Sequence, residues 1–238
     1  MIVGVLSILL LLFAVTLYAS SSLAPSILEV VLGHRRVEVE EMVENPTFVR
    51  RLDFEVLADV QVYTYLLDHL DLNAALARAL GIAPYEVVRI GPGQYHGDDG
   101  GGNEGTIEVF RAEGNDRAFI ERGVSSGWWF GEIGGRVVVL VVFSTEEGVR
   151  GTVTVWAQID QGVVDRLLRI LKPMLGGLLD RKLREQFNIA VRVAEVSAQH
   201  AGQFCPLLET VSGGSPDERQ ALAGLAGCKR VDHQDTKS

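Results

Sequence analysis

A chain of 238 residues, 47% hydrophobic and 22% charged, can build one sizeable domain or at most two small ones, and its composition excludes a disordered or collagen-like protein. Its 31 acidic residues outnumber 22 Lys and Arg, and a net charge of -9 argues against binding nucleic acid through the phosphate backbone. Two cysteines are too few for a disulfide scaffold or a Cys-rich metal site.

Residues 1–19 carry no charged side chain, and Ile8 to Val15 is an unbroken apolar run followed by Ala19-Ser20-Ser21-Ser22. Small residues after an apolar run suit a signal-peptidase site. As a helix the same stretch would span roughly 28 Å, close to a bilayer core, so residues 1–21 read equally as a cleaved signal or a retained membrane anchor. Either way the remainder is exported, to the periplasm or another extracytoplasmic space. There Cys205 and Cys228 can pair and close a loop in the C-terminal tail.

Residues 22–50 read as a linker and N-terminal extension. Ile27 to Gly33 suits a turn or two of helix, and Arg35 to Val43 permits a strand or a helix. The main domain is expected over 51–198. A short strand near Leu52 to Leu57 leads into a helical pair. Leu57, Val60, Tyr63, Leu66, Leu67, Leu70, Leu76 and Leu80 recur at helical spacing; Asp71-Leu72-Asn73 is expected to cap the second helix and Gly81 to close it. Then the period changes to two. Strands are expected over Tyr85–Ile90, Thr106–Arg111, Arg117–Val124, Trp128–Ile133, Arg136–Thr145 and Gly151–Asp160, with glycine turns at nearly every junction, including Gly148 to Gly151. Arg136–Thr145 is apolar on both faces, as in a central strand covered on both sides. Gly162 to Ala198 carries one long apolar stripe, with bends expected at Pro173 and Gly176-Gly177. Residues 199–238 form a tail with a short helix over Glu218–Leu225.

That order resembles the START-like, or SRPBCC, helix-grip superfamily over roughly Leu52 to Ala198. The residues that carry the likeness are the Tyr63–Leu80 helical pair after the first strand and the strand Gly151-Thr-Val-Thr-Val-Trp-Ala-Gln-Ile-Asp160 running into the long helix. The resemblance implies an α+β fold, a curved antiparallel sheet wrapped around a long C-terminal helix with two short helices after the first strand. It further implies a cavity for a lipid or other apolar small molecule. In such a cavity Trp128, Phe130 and Trp156 of the sheet would line the ligand site with Met174 and Leu178 of the helix. No catalytic residue, cofactor or metal transfers with it. Export and the cysteine-bearing tail depart from the superfamily's usual pattern. The rival expectations are a structural or interaction module of a cell-envelope complex, and an enzyme, a cyclase or hydrolase, on the same fold.

The remaining motifs read blandly. Gly123-Val-Ser-Ser-Gly127 matches the hydrolase elbow pattern, but an aromatic strand follows it where that elbow needs a helix, so a Ser/Gly-rich turn is expected. Asp98, Asp99, Asn103 and Glu104 could offer oxygens to Ca²⁺, although their spacing does not fit an EF-hand, and no Lys follows the glycines as a phosphate loop requires; a solvated hairpin loop is expected. Asp68-His69 pairs a carboxylate with a base, but neighbours on a helix point apart. Arg166, Arg169, Lys172, Arg181, Lys182 and Arg184 give the long helix a basic outer face, expected to be solvated.

Overall fold

The structure is a computed structural model that describes residues 36–111, 115–127, 131–144, 149–159 and 175–228. The N-terminal apolar segment, the Ile27–Gly33 turn, the turn before Val149, the expected kink at Pro173 and the basic residues 166–172 lie outside the described residues.

α1 (Arg36–Glu44) settles the ambiguity of its sequence. Val39, Met42 and Val43, spaced three and four apart, are buried, whereas Val37 is exposed; a strand would have put Val37 and Val39 on one face. β1 (Phe48–Val56) is longer than expected. α2 (Val60–Asp68) starts at Asp59, whose carboxylate accepts from the Gln61 amide at 2.6 Å. The chain breaks at His69 and re-enters a helix at once, so α3 runs Leu70–Ala79. Asp71, Leu72 and Asn73 are therefore buried inside α3 and do not cap it, because the break falls at the non-helical backbone of His69 instead. Gly81 closes α3 in the left-handed region, with the Ile82 amide donating to the Ala77 carbonyl at 2.8 Å and the Gly81 amide to that of Arg78 at 3.0 Å.

β2 (Glu86–Gly91), β3 (Gln94–Asp98), β4 (Asn103–Arg111), β5 (Arg117–Gly127), β6 (Gly131–Ser144) and β7 (Val149–Ile159) follow as consecutive antiparallel strands. β1 adds to the far side of β7, giving the order β1-β7-β6-β5-β4-β3-β2. The stretch Gly123–Gly127 lies within β5, and Ser125 pairs with Asn103 and Ile133, so the turn expected there is strand interior and no elbow forms.

α4 (Leu175–Gln199) is about 37 Å long, and Gly176 and Gly177 lie in its first turn, next to residues outside those described. It packs against α2, α3 and β1. Its Leu183, Ala190, Val191, Val193 and Ala194 share a core with Leu52, Val139, Val141, Val153 and Val155 of the sheet. On the opposite face of the sheet α1 makes a second core, Val39, Met42 and Val43 against Ala118, Ile120, Val138, Leu140 and Trp156. This is why the centre of β6 is apolar on both faces: Val139 and Val141 serve the first core, Val138 and Leu140 the second.

The cysteine-bearing tail forms α5 (Ala201–Thr210) and α6 (Pro216–Leu225). Phe204, Leu208 and Leu222 are buried in the α4-side core. A Cβ on Gly213 would lie 2.3 Å from the Asp71 carbonyl, so only glycine allows the α5–α6 loop to approach α3 this closely. α6 opens with a capping box between Ser215 and Glu218 and ends with Gly227 in the left-handed region. That ending aims Cys228 back at α5, where it is bonded to Cys205. Among the described residues no helix is long and apolar enough to cross a membrane.

Because Leu222 reaches the main core, Leu222→Ala should lower unfolding stability by about 2–4 kcal/mol. Urea denaturation checks this, and a change below about 0.5 kcal/mol would show a tail that merely rests on the surface.

Candidate functional site

The sheet face toward α4 can be read strand by strand from the register. One row across it runs Tyr95, Ile107, Glu121, Val137, Ala157 and Phe48. The row beside it runs Gly97, Gly105, Gly123 and Gly135, with Ile159 on β7. The face is assigned by its neighbours, since Val109, Phe119, Val139 and Val155 of the next row all lie in the α4-side core or against it. Four adjacent strands thus present bare backbone at one level, and at Gly105 and Gly123 the strands approach closely. A Cβ on Gly105 would lie 2.4 Å from the Arg122 carbonyl and 2.7 Å from the Gly123 Cα, and one on Gly123 would lie 2.6 Å from the Glu104 carbonyl. Glycine at such positions lets strands bend sharply and brings backbone to the floor of whatever occupies the concave side.

Next to that floor stands Glu121. Its cross-strand neighbours on the same face are Ile107 and Val137, both packed against the apolar core. The residue is half-buried, and burial pushes its carboxyl from near 4.5 up to about 7. It has no hydrogen-bond or ion-pair partner among the described residues. Several other charged groups beside the cores are paired. Arg117 donates to both carboxylate oxygens of Asp68 at 2.7 and 3.0 Å; Arg122 does the same to Glu38 at 3.0 and 2.6 Å. Arg89 reaches Asp71 at 3.0 Å and Glu218 at 2.7 Å, and the bond and charge of Arg89 help hold the Glu218 carboxyl below its usual range, against the opposing effect of its burial. Along the α4-side face, the other charged groups of the strands include Arg117, held by Asp68, Arg111, opposite Arg117 in the register, Arg89, held at the β2 edge, and Arg50 of β1, three strands away from β5. Arg181, Arg184, Glu185 and Arg192 of α4 are exposed.

At the same end of the sheet as the glycine row is an open cleft of about 650 Å³. Ile82, Pro84 and Tyr85 from the α3–β2 loop form one wall, and Arg184, Asn188 and Arg192 of α4 another. The β3–β4 turn contributes Asp99 and Gly101. The Asp99 carboxylate accepts from the amides of Gly101 at 2.7 Å and Asn103 at 3.0 Å, and from the Asn103 side chain; Asp98 accepts from the Gly100 amide at 2.7 Å. These oxygens order the turn of the solvated hairpin expected here, and Asn103 and Glu104 belong to β4. Among the described residues no group of acidic, His or Cys side chains could hold a metal ion.

The remaining expected site residues are dispersed. Trp156 is buried, but under α1 with Met42 and Ile120, on the face away from α4. In strand β7 Val153 and Val155 face α4, and the period of two sends Thr154 and Trp156 the other way, so Trp156 fills the second core and does not line a site beside α4. Trp128, Phe130 and Met174 lie outside the described residues, and Leu178 falls in the first turn of α4. Asp68 and His69 do diverge: Asp68 takes Arg117, whereas the His69 ring stacks on Tyr65 at 4.0 Å and donates Nδ1–H to the Tyr65 carbonyl at 2.8 Å. Glu121 was legible as an inward carboxylate, since Phe119 and Glu121 share one face of a strand whose other face carries Ala118 and Ile120. The adjacent Arg122 disguises it as part of a surface charge pair.

A curved seven-stranded antiparallel sheet, a long C-terminal helix against its concave face and a helical pair between the first two strands define the architecture. The fold is the helix grip. No family model matches the chain, and no curated protein matches it. Solved structures to which it is similar include a conserved protein from Geobacillus kaustophilus, with 18% identity over 63% of this chain and 97% of that one and a TM-score of 0.46. They also include a START superfamily protein from Mycobacterium smegmatis, at 12% identity over 62% and 97% with a TM-score of 0.42. A third is a truncated norcoclaurine synthase from Thalictrum flavum, at 14% identity over 62% and 94% with a TM-score of 0.39. These likenesses are of fold.

The raised Glu121 carboxyl has a stability consequence whose sign is fixed. The folded state holds this proton more tightly than the unfolded state, so stability is lost as pH rises from about 4.5 through 7. Glu121→Gln removes that loss. Its thermal midpoint should match the parent's at pH 4 and exceed it by about 3–6 °C at pH 8. A gap that does not change between those pH values would show that the carboxyl is well solvated.

Proposed function

We propose that this is an exported protein that binds and carries a lipid or another apolar small molecule between the concave sheet face and the C-terminal helix. The observation that carries this reading is the row Gly97–Gly105–Gly123–Gly135. A sheet that only needed a filled core would place side chains at those inward positions, whereas four glycines clear the face beside Ile107 and Val137. The facing helix α4 offers Phe187, Val191 and Ala194, an apolar surface with no catalytic group. Export is supported by the apolar segment 1–19 and by the Cys205–Cys228 bond, which suits an oxidising compartment. Whether the N-terminal segment is removed or holds the protein at a membrane, the carrier reading is the same.

The reading as an interaction module of the cell envelope has one observation of its own. β2 is an edge strand of the sheet, and its Val88 and Ile90 are exposed apolar residues. The two readings part in a single experiment. Full-length protein exported by a bacterial host and isolated without detergent should show a discrete adduct in native mass spectrometry, lost on denaturation and recoverable by organic extraction. Ile107→Trp, which fills the concave face, should reduce that adduct at least tenfold while far-UV circular dichroism is retained. A bare mass unchanged by incubation with lipid extract, in a folded protein, would overturn the carrier reading and favour the β2 edge as a protein contact.

A further inference from the structure

Glu121 is the point at which the concave face departs from apolar chemistry. Its neighbours across the strands are Ile107 and Val137, and the adjacent row is the bare backbone of Gly105, Gly123 and Gly135. A half-buried carboxyl in such surroundings loses part of its water and is destabilised unless something returns its hydrogen bonds. Within the described protein nothing does, although Arg117, four residues earlier on the same strand face, is met by Asp68 through two hydrogen bonds. Unpartnered inward carboxyls are costly, and the glycine row beside this one sets no side chain of the sheet against it.

We propose that Glu121 is a ligand-recognition residue, its carboxyl accepting a hydrogen bond from the hydroxyl of an otherwise apolar molecule lying over the glycine row. This rests on the carrier reading above and names the chemical class of its cargo. At pH 8, where the displacement below is run, the carboxyl is mostly ionised and only accepts, so the ligand must supply the donor. A neutral hydroxyl is favoured over an ammonium group by the rim at that end of the sheet, where Arg181, Arg184 and Arg192 of α4 outnumber Asp99 and Glu185 in the open cleft and leave it a modest positive balance. A ligand without a donor would leave the carboxyl as unsatisfied as it is in the empty protein, so Glu121 selects against pure hydrocarbons and ethers as much as it selects for alcohols.

The test uses the full-length protein, delipidated, with displacement of the neutral fluorophore N-phenyl-1-naphthylamine by three probes of equal chain length: 1-dodecanol, dodecyl methyl ether and dodecylammonium. In the parent protein dodecanol should displace the fluorophore at about one-tenth the concentration required of the ether. Glu121→Leu should bring that ratio to about one by weakening dodecanol and leaving the ether unchanged or improved. Glu121→Gln, whose carboxamide accepts from the alcohol but also donates to the ether oxygen, should still bind dodecanol while the ratio narrows through better ether binding. Thermal midpoints of both variants at or above the parent's at pH 8 exclude misfolding as the cause. A tenfold preference that survives in Glu121→Leu would overturn the assignment to Glu121 while leaving the carrier reading standing. Dodecylammonium binding best, and losing its advantage in Glu121→Gln, would overturn the hydroxyl class in favour of an ion pair. Failure of all three probes to displace the fluorophore, or of the fluorophore to bind, would overturn the inference together with the carrier reading.

Discussion

The close approach of β4 and β5 at Gly105 and Gly123 is the contact on which the architecture turns. A side chain at either position would lie within 2.4–2.6 Å of a neighbouring carbonyl, so the sheet can take this curvature only where side chains are missing. The register extends the gap to β3 and β6 through Gly97 and Gly135, so one bend crosses four strands instead of kinking one. Curvature toward α4 is what allows a single helix about 37 Å long to be faced by both the sheet and the α2–α3 pair. The bend and the bare backbone on the concave face are one feature, since the same missing side chains produce both.

A curved sheet of this kind must still be prevented from rotating against its helices, and paired charges do this at three places. Arg117 joins β5 to the end of α2 through Asp68, Arg122 joins β5 to α1 through Glu38, and Arg89 joins β2 to α3 and α6 through Asp71 and Glu218. Bidentate geometry at the first two makes them registration contacts more than sources of net stability, because desolvation offsets much of the Coulomb gain. The third draws the tail into the domain, and the Cys205–Cys228 bond then ties α5 to the end of α6. The carboxyl-terminal helices are therefore a buttress on α3 and α4, which explains Leu222 in the main core.

Much of this was legible in residue order. The switch from helical to alternating period after Pro84, the both-faced apolar run of β6 and the strict alternation of β7 each reflect a local rule that tertiary contacts did not override. The helix α1 was ambiguous because alternating Val and Glu satisfies both periods over a few residues; its burial against Trp156 decides the matter. The α2–α3 boundary was misplaced because Asp and Asn favour caps, yet Asp71 and Asn73 are buried inside a helix, Asp71 through its pairing with Arg89, a contact 18 residues away. Trp156 illustrates a different limit. Alternation separates the faces of a strand but does not say which face meets which helix, and that assignment depended on α1, an element of uncertain type. The glycine row was invisible for the same reason: Gly97, Gly105, Gly123 and Gly135 look like separate turn signals until strand pairing aligns them.

Natural sequences obey local rules of stability nearly everywhere and break them where function requires it. Here two breaches lie side by side. Four glycines weaken adjacent strands of a sheet that β-branched residues would strengthen, and one half-buried carboxyl lacks the partner that Arg117, Arg122 and Arg89 each receive. Either alone has a structural account, the glycines as a hinge of curvature and the carboxyl as a tolerated cost. Curvature does not explain Glu121, however, because Phe119 two residues earlier shows that the same strand face accepts a large apolar side chain. Nor does Glu121 explain the glycines, since a carboxyl flanked by Ile107 and Val137 is desolvated whatever follows it. The molecule proposed for the concave side would account for both, since it needs bare backbone beneath it and one polar contact, and their adjacency on neighbouring rows of three strands is the strongest physical reason for proposing a binding site on this face.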